Sequence, residues 1–434
     1  MRSMNERKTY RSELLGEEYT LIHHKSGLNI YVFPKRLTTA YAVFATDYGA
    51  ADTRFRLAGD EAWVDVPEGV AHFLEHKMFA NEDGIDSFEK FGALGANANA
   101  YTSHDQTAYL FSCSEKFEES LEELLTYVTH PYFTPESVEK EQGIIAQEIR
   151  MGDDNPSSRR YYQLLRALYH NRQVYTHICG TVDSIAQITD RTLYDCYRVF
   201  YNLSNMVLVI CGDVDIDTVL AVADQILPVQ PRMEILRDSP EEPREIVHSK
   251  LSCHMEVAQP IFAIGIKDDP FGLAPAERVR RGNALDILCE MLFNQSGELF
   301  NSLYREGLLT GSLGFGYDEG RTYAFVGLSG ESPNPDAVLD RIKTAVENAK
   351  KNGLSRADFT RCKRVMYAEL VREFDSTSDI ADLILDAVQS GIEPFDFVSI
   401  LDSVTFEDVE AVLHEVFHPE AYALSVIYPK EEED

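Results

Sequence analysis

Two histidines and a glutamate stand close together in the run His72-Phe73-Leu74-Glu75-His76. On an α-helix, residues four positions apart lie on one face, because each residue turns the helix by about 100°. The two imidazoles are therefore placed to bind one metal ion, and the Glu75 carboxylate lies within reach of a water molecule on that ion. Two solvated histidines on a helix surface are the alternative interpretation. The spacing favours a metal centre that activates water for hydrolysis.

A third metal ligand has to come from another element, because a catalytic zinc ion takes three protein ligands and keeps one position open. The segment from Thr134 to Gly152 is the best candidate, since Thr134 can cap a helix and Pro135 suits its first position. Glu141 and Glu148 lie two turns apart on one face of this helix. A solvated acidic face is the ordinary interpretation of such a pair. Beside two histidines, one glutamate can be a ligand while the other orients a ligand imidazole.

The overall composition limits the class of protein that carries these residues. The chain has 434 residues, 44% of them hydrophobic and 26% charged, which indicates a soluble globular protein of two or more domains. A net charge of −32 argues against nucleic acid and against an anionic membrane as partners. The apolar runs have the length of strands, and Met1–Lys8 lacks the apolar core of a signal peptide. We therefore expect a cytoplasmic location and no membrane partner.

The cysteines indicate neither a disulfide framework nor a thiolate zinc site, because they are odd in number, scattered, and never spaced as Cys-x-x-Cys. Most of them are expected to be buried as small hydrophobic residues. The seven positions are Cys113, Cys179, Cys196, Cys211, Cys253, Cys289 and Cys362.

The order of sequence patterns repeats on either side of a proline-rich segment, which is typical of a duplicated domain. The predicted boundaries are a metal-bearing domain at 1–226, a linker at 227–249 and a homologous domain at 250–434. The matching segments are 41–46 with 261–266, the helix ending at 79 with 283–293, 98–112 with 312–329, 117–151 with 335–373, and 206–210 with 422–427. The expected fold class is α+β, with two homologous domains that each have a mainly antiparallel sheet flanked by helices.

The two copies differ where the metal would bind. Aligning Met78-Phe79 with Leu292-Phe293 places three other residues opposite His72, Glu75 and His76, namely Asp286, Cys289 and Glu290. These residues cannot hold zinc in the same way, so the second domain is expected to have no zinc site.

The His72–His76 motif followed by Glu148 resembles the pitrilysin-type metallopeptidases, inverted zincins whose family includes insulin-degrading enzyme and mitochondrial processing peptidase. The resemblance is closest to the YmfH-like bacterial members, in residues 72–78, 95–103 and 151–156. It implies one zinc ion per chain. By this resemblance, the zinc ligands are His72, His76 and Glu148. Glu75 is the general base, and Glu141 supports one of the ligands.

The resemblance also implies a way to hold substrate. Asn99-Ala100-Tyr101 precedes the apolar segment 108–111 and is expected on a hairpin or an edge strand, where Asn99 and Ala100 would pair with the main chain of a peptide. A sheet-edge loop whose small residues only permit packing is the alternative. In the second domain Arg305 is placed to help close the site, but Ser312 stands where the family has tyrosine, and Tyr317 is the substitute candidate.

These observations predict a zinc-dependent endopeptidase that cleaves short or unfolded peptides. Chains of this length in the family usually pair, so we expect a homodimer or a heterodimer with a homologue that lacks the motif. The alternatives are a dedicated maturase of one precursor peptide, working with a homologous partner that lacks the motif, and a structural or assembly subunit on the same fold.

Overall fold

The computed structural model describes residues 5–430, which form two compact units. The first unit contains the described residues up to Ile149, then His177–Asp238 and Val371–Gln389. The second contains Arg150–Thr176, Ser239–Leu370 and the described residues from Ser390 onward. The first four residues of the N-terminal segment, on which the expected location depends in part, lie outside the described range. Between residues 5 and 430, none of the helices combines the length and the apolar composition that a membrane span requires.

The first unit is built on a seven-stranded sheet, with a small three-stranded sheet beside it. Its strands are β1 (Glu6–Ser12), β2 (Glu17–His23), β3 (Asn29–Pro34), β4 (Ala40–Thr46), β5 (Arg54–Leu57), β6 (Val64–Asp65), β7 (Asn97–Thr102), β8 (Thr107–Cys113), β9 (Met206–Gly212) and β10 (Ile235–Arg237). The large sheet has the order β1-β2-β3-β9-β4-β8-β7, and only β3 and β9 pair in parallel. Strand β7 is therefore an edge strand of the large sheet.

The second unit repeats the topology of the large sheet. Its strands are β11 (Lys250–Met255), β12 (Ile261–Lys267), β13 (Gly314–Glu319), β14 (Ala324–Glu331) and β15 (Tyr422–Pro429). The order β11-β15-β12-β14-β13 matches β3-β9-β4-β8-β7, including a single parallel pair in the corresponding place. The predicted α+β fold of two homologous, mainly antiparallel domains is confirmed.

Helices cover the faces of both sheets. In chain order they are α1 (Val70–Met78), α2 (Ser87–Leu94), α3 (Phe117–Thr129), α4 (Pro135–Asp153), α5 (Pro156–Leu168), α6 (Val182–Ile185), α7 (Asp190–Phe200), α8 (Ile216–Ile226), α9 (Pro275–Phe293), α10 (Glu298–Arg305), α11 (Pro335–Asn352), α12 (Arg356–Glu373), α13 (Thr377–Ser390), α14 (Asp396–Ser403) and α15 (Phe406–Val416).

Helices α5 and α13 each cover a sheet that is distant from them in sequence. Helix α5 lies between segments of the first unit in sequence, but it packs Leu164, Leu165 and Leu168 against the sheet of the second unit. Conversely, α13 lies between segments of the second unit in sequence but belongs to the first unit. The sheets need this cover because their central strands are buried on both faces, and every residue of β9 is buried. An amphipathic helix from elsewhere in the chain supplies the second covering layer.

Helix α1 is held in the core of the first unit by its apolar side chains. Phe73, Leu74 and Met78 are almost completely buried, and each such burial contributes about 1.5–3 kcal/mol. The helix starts after Gly69, which has a φ of 91° that side-chain-bearing residues rarely adopt. The packing of this face fixes the direction in which His72, Glu75 and His76 point.

Candidate metal centre

His72 and His76 lie one turn apart on α1, with their ring centroids separated by 4.6 Å. His72 is 7% exposed, and His76 is more accessible. The structure therefore places both imidazoles of the motif on one face of the helix, as the spacing predicts. That face lies opposite the apolar residues that anchor α1.

Glu148 lies on α4 and meets both imidazoles. Its Oε1 atom is 3.5 Å from Nε2 of His72, and its Oε2 atom is 3.5 Å from Nε2 of His76. Helix α4 begins as the sequence predicts, because the Thr134 hydroxyl accepts a hydrogen bond from the Ser137 amide at 3.2 Å. This cap and the apolar face of α4 position Glu148 over α1.

The two contacts of Glu148 have the spacing of neighbouring ligand atoms on a zinc ion. Two ligand atoms on a tetrahedral zinc, with bonds of about 2.0–2.1 Å, lie about 3.4 Å apart. The observed separations of 3.5 Å from Glu148 to each imidazole nitrogen are close to that value. Imidazole nitrogens and a carboxylate are also the ligand types that catalytic zinc sites use. The residues present can thus hold the metal that the motif implies.

Glu141 supports His76 from the side opposite Glu148. Its Oε1 atom lies 3.0 Å from Nδ1 of His76, so a proton on Nδ1 can be donated to the carboxylate. That tautomer leaves the lone pair of Nε2 for a metal ion. Burial lowers the pKa of His76, but the hydrogen bond to Glu141 and the surrounding carboxylates raise it overall. Burial opposes ionisation of Glu141, yet its contact with His76 lowers the carboxyl pKa.

We expect Glu141→Ala to weaken zinc binding by about 10–100-fold, because His76 loses the partner that orients its ring. Competition with a chromophoric chelator measures the affinity. Glu141→Gln is the matched control, since its amide oxygen still accepts from Nδ1, and it should lose less affinity. Equal zinc affinities for the alanine variant and the wild-type chain would contradict the supporting role.

Glu75 is held by a residue that the motif does not reveal. Thr102, at the end of β7, donates its hydroxyl to Oε2 of Glu75 at 2.6 Å. A charge-assisted bond of this length fixes the carboxylate and leaves its other oxygen available for a proton. The contact arises because β7 lies next to α1 in the fold. No spacing in the sequence predicts it.

The hydrogen bond from Thr102 gives a testable contribution to the rate. Thr102→Val keeps the side-chain shape but removes the donor, and hydrogen bonds to charged groups contribute about 1.5–3 kcal/mol. If this orientation is used in the reaction, kcat should fall by about 10-fold or more, while zinc content and the unfolding temperature stay near wild type. Thr102→Ser, which retains the hydroxyl, is the control. A valine variant with wild-type kcat would show that the bond does not serve catalysis.

Strand β7 presents backbone groups at the edge of the sheet beside the metal centre. The Ser103 amide donates to the Gln106 carbonyl across the turn to β8. In an antiparallel ladder, the backbone N–H and C=O groups of successive residues point alternately toward and away from the partner strand. The backbone groups of Asn99 and Tyr101 therefore point toward β8, whereas those of Ala100 point toward the open edge. The amide of Ala100 donates to the side chain of Asn99 at 2.9 Å. The structure thus places the predicted Asn99-Ala100-Tyr101 segment on an edge strand.

Cys179 also lies at the metal centre. Its Sγ atom is 3.8 Å from Nε2 of His72 and 3.7 Å from Oε1 of Glu148. Burial and the adjacent Glu148 raise the pKa of this thiol. Cys179 is buried in the hydrophobic core of the first unit, as expected for most cysteines of this chain, and its thiol also contacts His72 and Glu148.

Arg305 and Tyr317 lie in the second unit and are engaged there. Arg305 is exposed at the end of α10, and its Nε donates to the carbonyl of Asn301. Tyr317 donates its hydroxyl to Asp268 at 2.9 Å. Their predicted part in the reaction stays a prediction.

The position that corresponds to His72 in the second unit has a different environment. Asp286 there accepts a hydrogen bond from the amide of Tyr317 at 2.9 Å. Burial raises the pKa of Asp286 to about 6. Cys289, one turn farther along, is completely buried. The expected difference between the two copies therefore extends to the surroundings.

The chain is similar to known proteins over most of its length. Residues 64–182 match the family described as insulinase, peptidase family M16, and residues 187–366 match the peptidase M16 inactive domain. A Bacillus subtilis (strain 168) protein named as the uncharacterized zinc protease YmfH is 36% identical over 419 residues, which cover 95% of this chain and 97% of the relative.

Solved structures show the same architecture. The crystal structure of a putative M16-like peptidase from Alicyclobacillus acidocaldarius has a TM-score of 0.89 at 31% identity, and the match covers 99% of this chain and 100% of that one. A protease from Helicobacter pylori shares the fold, with a TM-score of 0.81 at 20% identity over 95% of this chain and 100% of that one.

Proposed function

Since the chain belongs to peptidase family M16, we propose that it is a zinc-dependent endopeptidase that cleaves short or unfolded peptides. One observation carries this proposal. The Glu148 carboxylate lies 3.5 Å from Nε2 of both His72 and His76, and Glu75 stands on the same helix as the two histidines.

The proposed chemistry divides between the metal and the residues around it. His72, His76 and Glu148 hold one zinc ion per chain. When bound, that ion would lower the pKa of a water molecule and polarise the scissile carbonyl. Glu75 accepts the proton of the attacking water and donates it to the leaving amine. Thr102 keeps one oxygen of Glu75 in place during both transfers.

The open edge of β7 is the proposed binding place for the substrate backbone. A peptide added there as a strand would pair with the main chain at Ala100, beside Asn99 and Tyr101, and would have to displace the Asn99 side chain from the Ala100 amide. Main-chain hydrogen bonds make little demand on sequence. Pairing as a strand also needs an extended backbone, so short or unfolded peptides suit this edge better than folded proteins.

Removal and return of the metal test this function. The purified chain, stripped with a chelator and dialysed, should lose cleavage of an unstructured fluorogenic peptide and regain it with about one equivalent of zinc. The same sequence placed within a folded protein should be cut more slowly than the unstructured peptide. Cleavage that persists in the metal-free protein would contradict the proposal.

The substrate range separates a general peptidase from a dedicated maturase. A mixed peptide library should yield many cleavage sites, because backbone pairing dominates binding. Cleavage of only one peptide sequence across the library would favour the maturase. A structural subunit would cleave none, although this chain retains the complete set of His72, His76, Glu75 and Glu148.

We also propose that the chain pairs, either with a second copy or with a homologue that lacks the motif. The departure at Ser312, where the family has tyrosine, favours a partner that completes the site. Light scattering during gel filtration tests the pairing. A fully active monomer at all concentrations would contradict it.

A further inference from the structure

The thiol of Cys179 is placed as if it belonged to the metal centre. Cys179 is 4% exposed, and its Sγ atom approaches Nε2 of His72 at 3.8 Å and Oε1 of Glu148 at 3.7 Å. These three ligand atoms lie within 4.8 Å of one another. Two of them are donors of the proposed zinc site.

The distances agree with a shared zinc ion. Zinc binds sulfur at about 2.3 Å and nitrogen at about 2.0–2.1 Å, so a tetrahedral arrangement separates the two donors by about 3.6 Å. The Sγ–Nε2 and Sγ–Oε1 separations are within about 0.2 Å of that value.

The backbone holds Cys179 in this position. A Cβ atom on Gly69 would lie 2.4 Å from the carbonyl oxygen of Cys179, and one on Gly180 would lie 2.5 Å from the carbonyl oxygen of Glu68. The two glycines therefore let the segment around Cys179 pack directly against the start of α1. Ser184 fastens the same segment, since its hydroxyl donates to the Glu68 carbonyl at 2.9 Å. This packing holds the backbone of Cys179 beside Gly69, which lies three residues before His72.

We propose that the Cys179 thiolate is a fourth ligand of the zinc ion in the resting enzyme. The inference rests on the proposed zinc site and adds a ligand to it. When the sulfur–zinc bond forms, the S–H bond breaks and its proton passes to solvent. A fourth protein ligand occupies the position that a catalytic zinc leaves open. Cys179 would therefore keep the site closed until substrate or water displaces the sulfur.

The spectrum of the cobalt-substituted protein tests this ligand without relying on activity. The metal-free chain with one equivalent of Co²⁺ should show an intense thiolate-to-cobalt charge-transfer band in the near ultraviolet. Cys179→Ser should bind cobalt, with its weaker visible bands present, but lose the charge-transfer band. Cys113→Ala removes another buried thiol of the same unit and should retain it.

The outcomes separate this inference from the metal site itself. Visible cobalt bands without a charge-transfer band in the wild-type chain would overturn the thiolate ligand and leave the zinc site standing. A charge-transfer band that survives in Cys179→Ser would also overturn it. A wild-type chain that binds no metal would overturn both proposals.

X-ray absorption at the zinc edge gives a second measurement that needs no variant. The wild-type chain loaded with one zinc should show one sulfur at about 2.3 Å beside the nitrogen and oxygen ligands. A shell of nitrogen and oxygen alone would overturn the inference. This measurement decides the question even if Cys179→Ser does not fold.

Discussion

Glu75→Gln is expected to lower kcat for peptide cleavage by about 10²–10⁴-fold while leaving one zinc ion bound per chain. The amide has nearly the size of the carboxylate, and its oxygen can still accept the hydrogen bond from Thr102. It cannot take a proton from water, so the variant loses the general base and keeps the metal ligands. Steady-state kinetics with a fluorogenic peptide, together with zinc analysis of the same samples, measure both quantities.

A charge-matched control separates this effect from electrostatics. Glu139→Gln removes one negative charge from an exposed position on α4 of the same unit, and should cleave at the wild-type rate. If Glu75→Gln instead retains turnover, Glu75 is not the base and the mechanism is wrong. A loss of zinc in Glu75→Gln would point to a role in holding the metal.

Glu148→Ala is expected to weaken zinc binding by more than about 100-fold, beyond the range typical of residues that only support a ligand. The variant removes the carboxylate that lies 3.5 Å from Nε2 of both imidazoles. Because the Glu148 side chain is 43% exposed, its truncation should leave the metal-free fold intact. Chelator competition measures the affinity, and thermal unfolding of the metal-free protein checks the fold.

An exposed glutamate on the same helix provides the control for this variant. Glu136→Ala, in the first turn of α4, should keep the zinc affinity of the wild-type chain. An unchanged zinc affinity in Glu148→Ala would mean that another residue is the third ligand.

Local patterns predict much of this fold because they report local physics. The duplicated strand and helix patterns appear in the same order in both sheets. Thr134 and Pro135 mark the start of α4, because a capping hydroxyl and a fixed φ act within one turn. The prediction of where α9 starts is less accurate, because the expected segment begins at residue 283, whereas the helix begins at Pro275. Its charged first turns hide the apolar periodicity there.

Such local patterns do not predict contacts between segments that are distant in sequence. The periodicity of α13 shows an apolar face but not which sheet it covers, since any apolar surface of suitable shape satisfies it. Thr102 and Cys179 reach the metal centre only because β7 and the loop before α6 pack against α1. Neither residue has a spacing that indicates a site. Their positions follow from tertiary packing alone.

A crystal structure of the zinc-loaded chain, with anomalous diffraction recorded on both sides of the zinc edge, tests the proposed metal centre most directly. One anomalous peak is expected about 2.0–2.2 Å from Nε2 of His72, Nε2 of His76 and a carboxylate oxygen of Glu148. The absence of a peak among these residues in a protein that carries stoichiometric zinc, or a peak at other residues, would contradict the account.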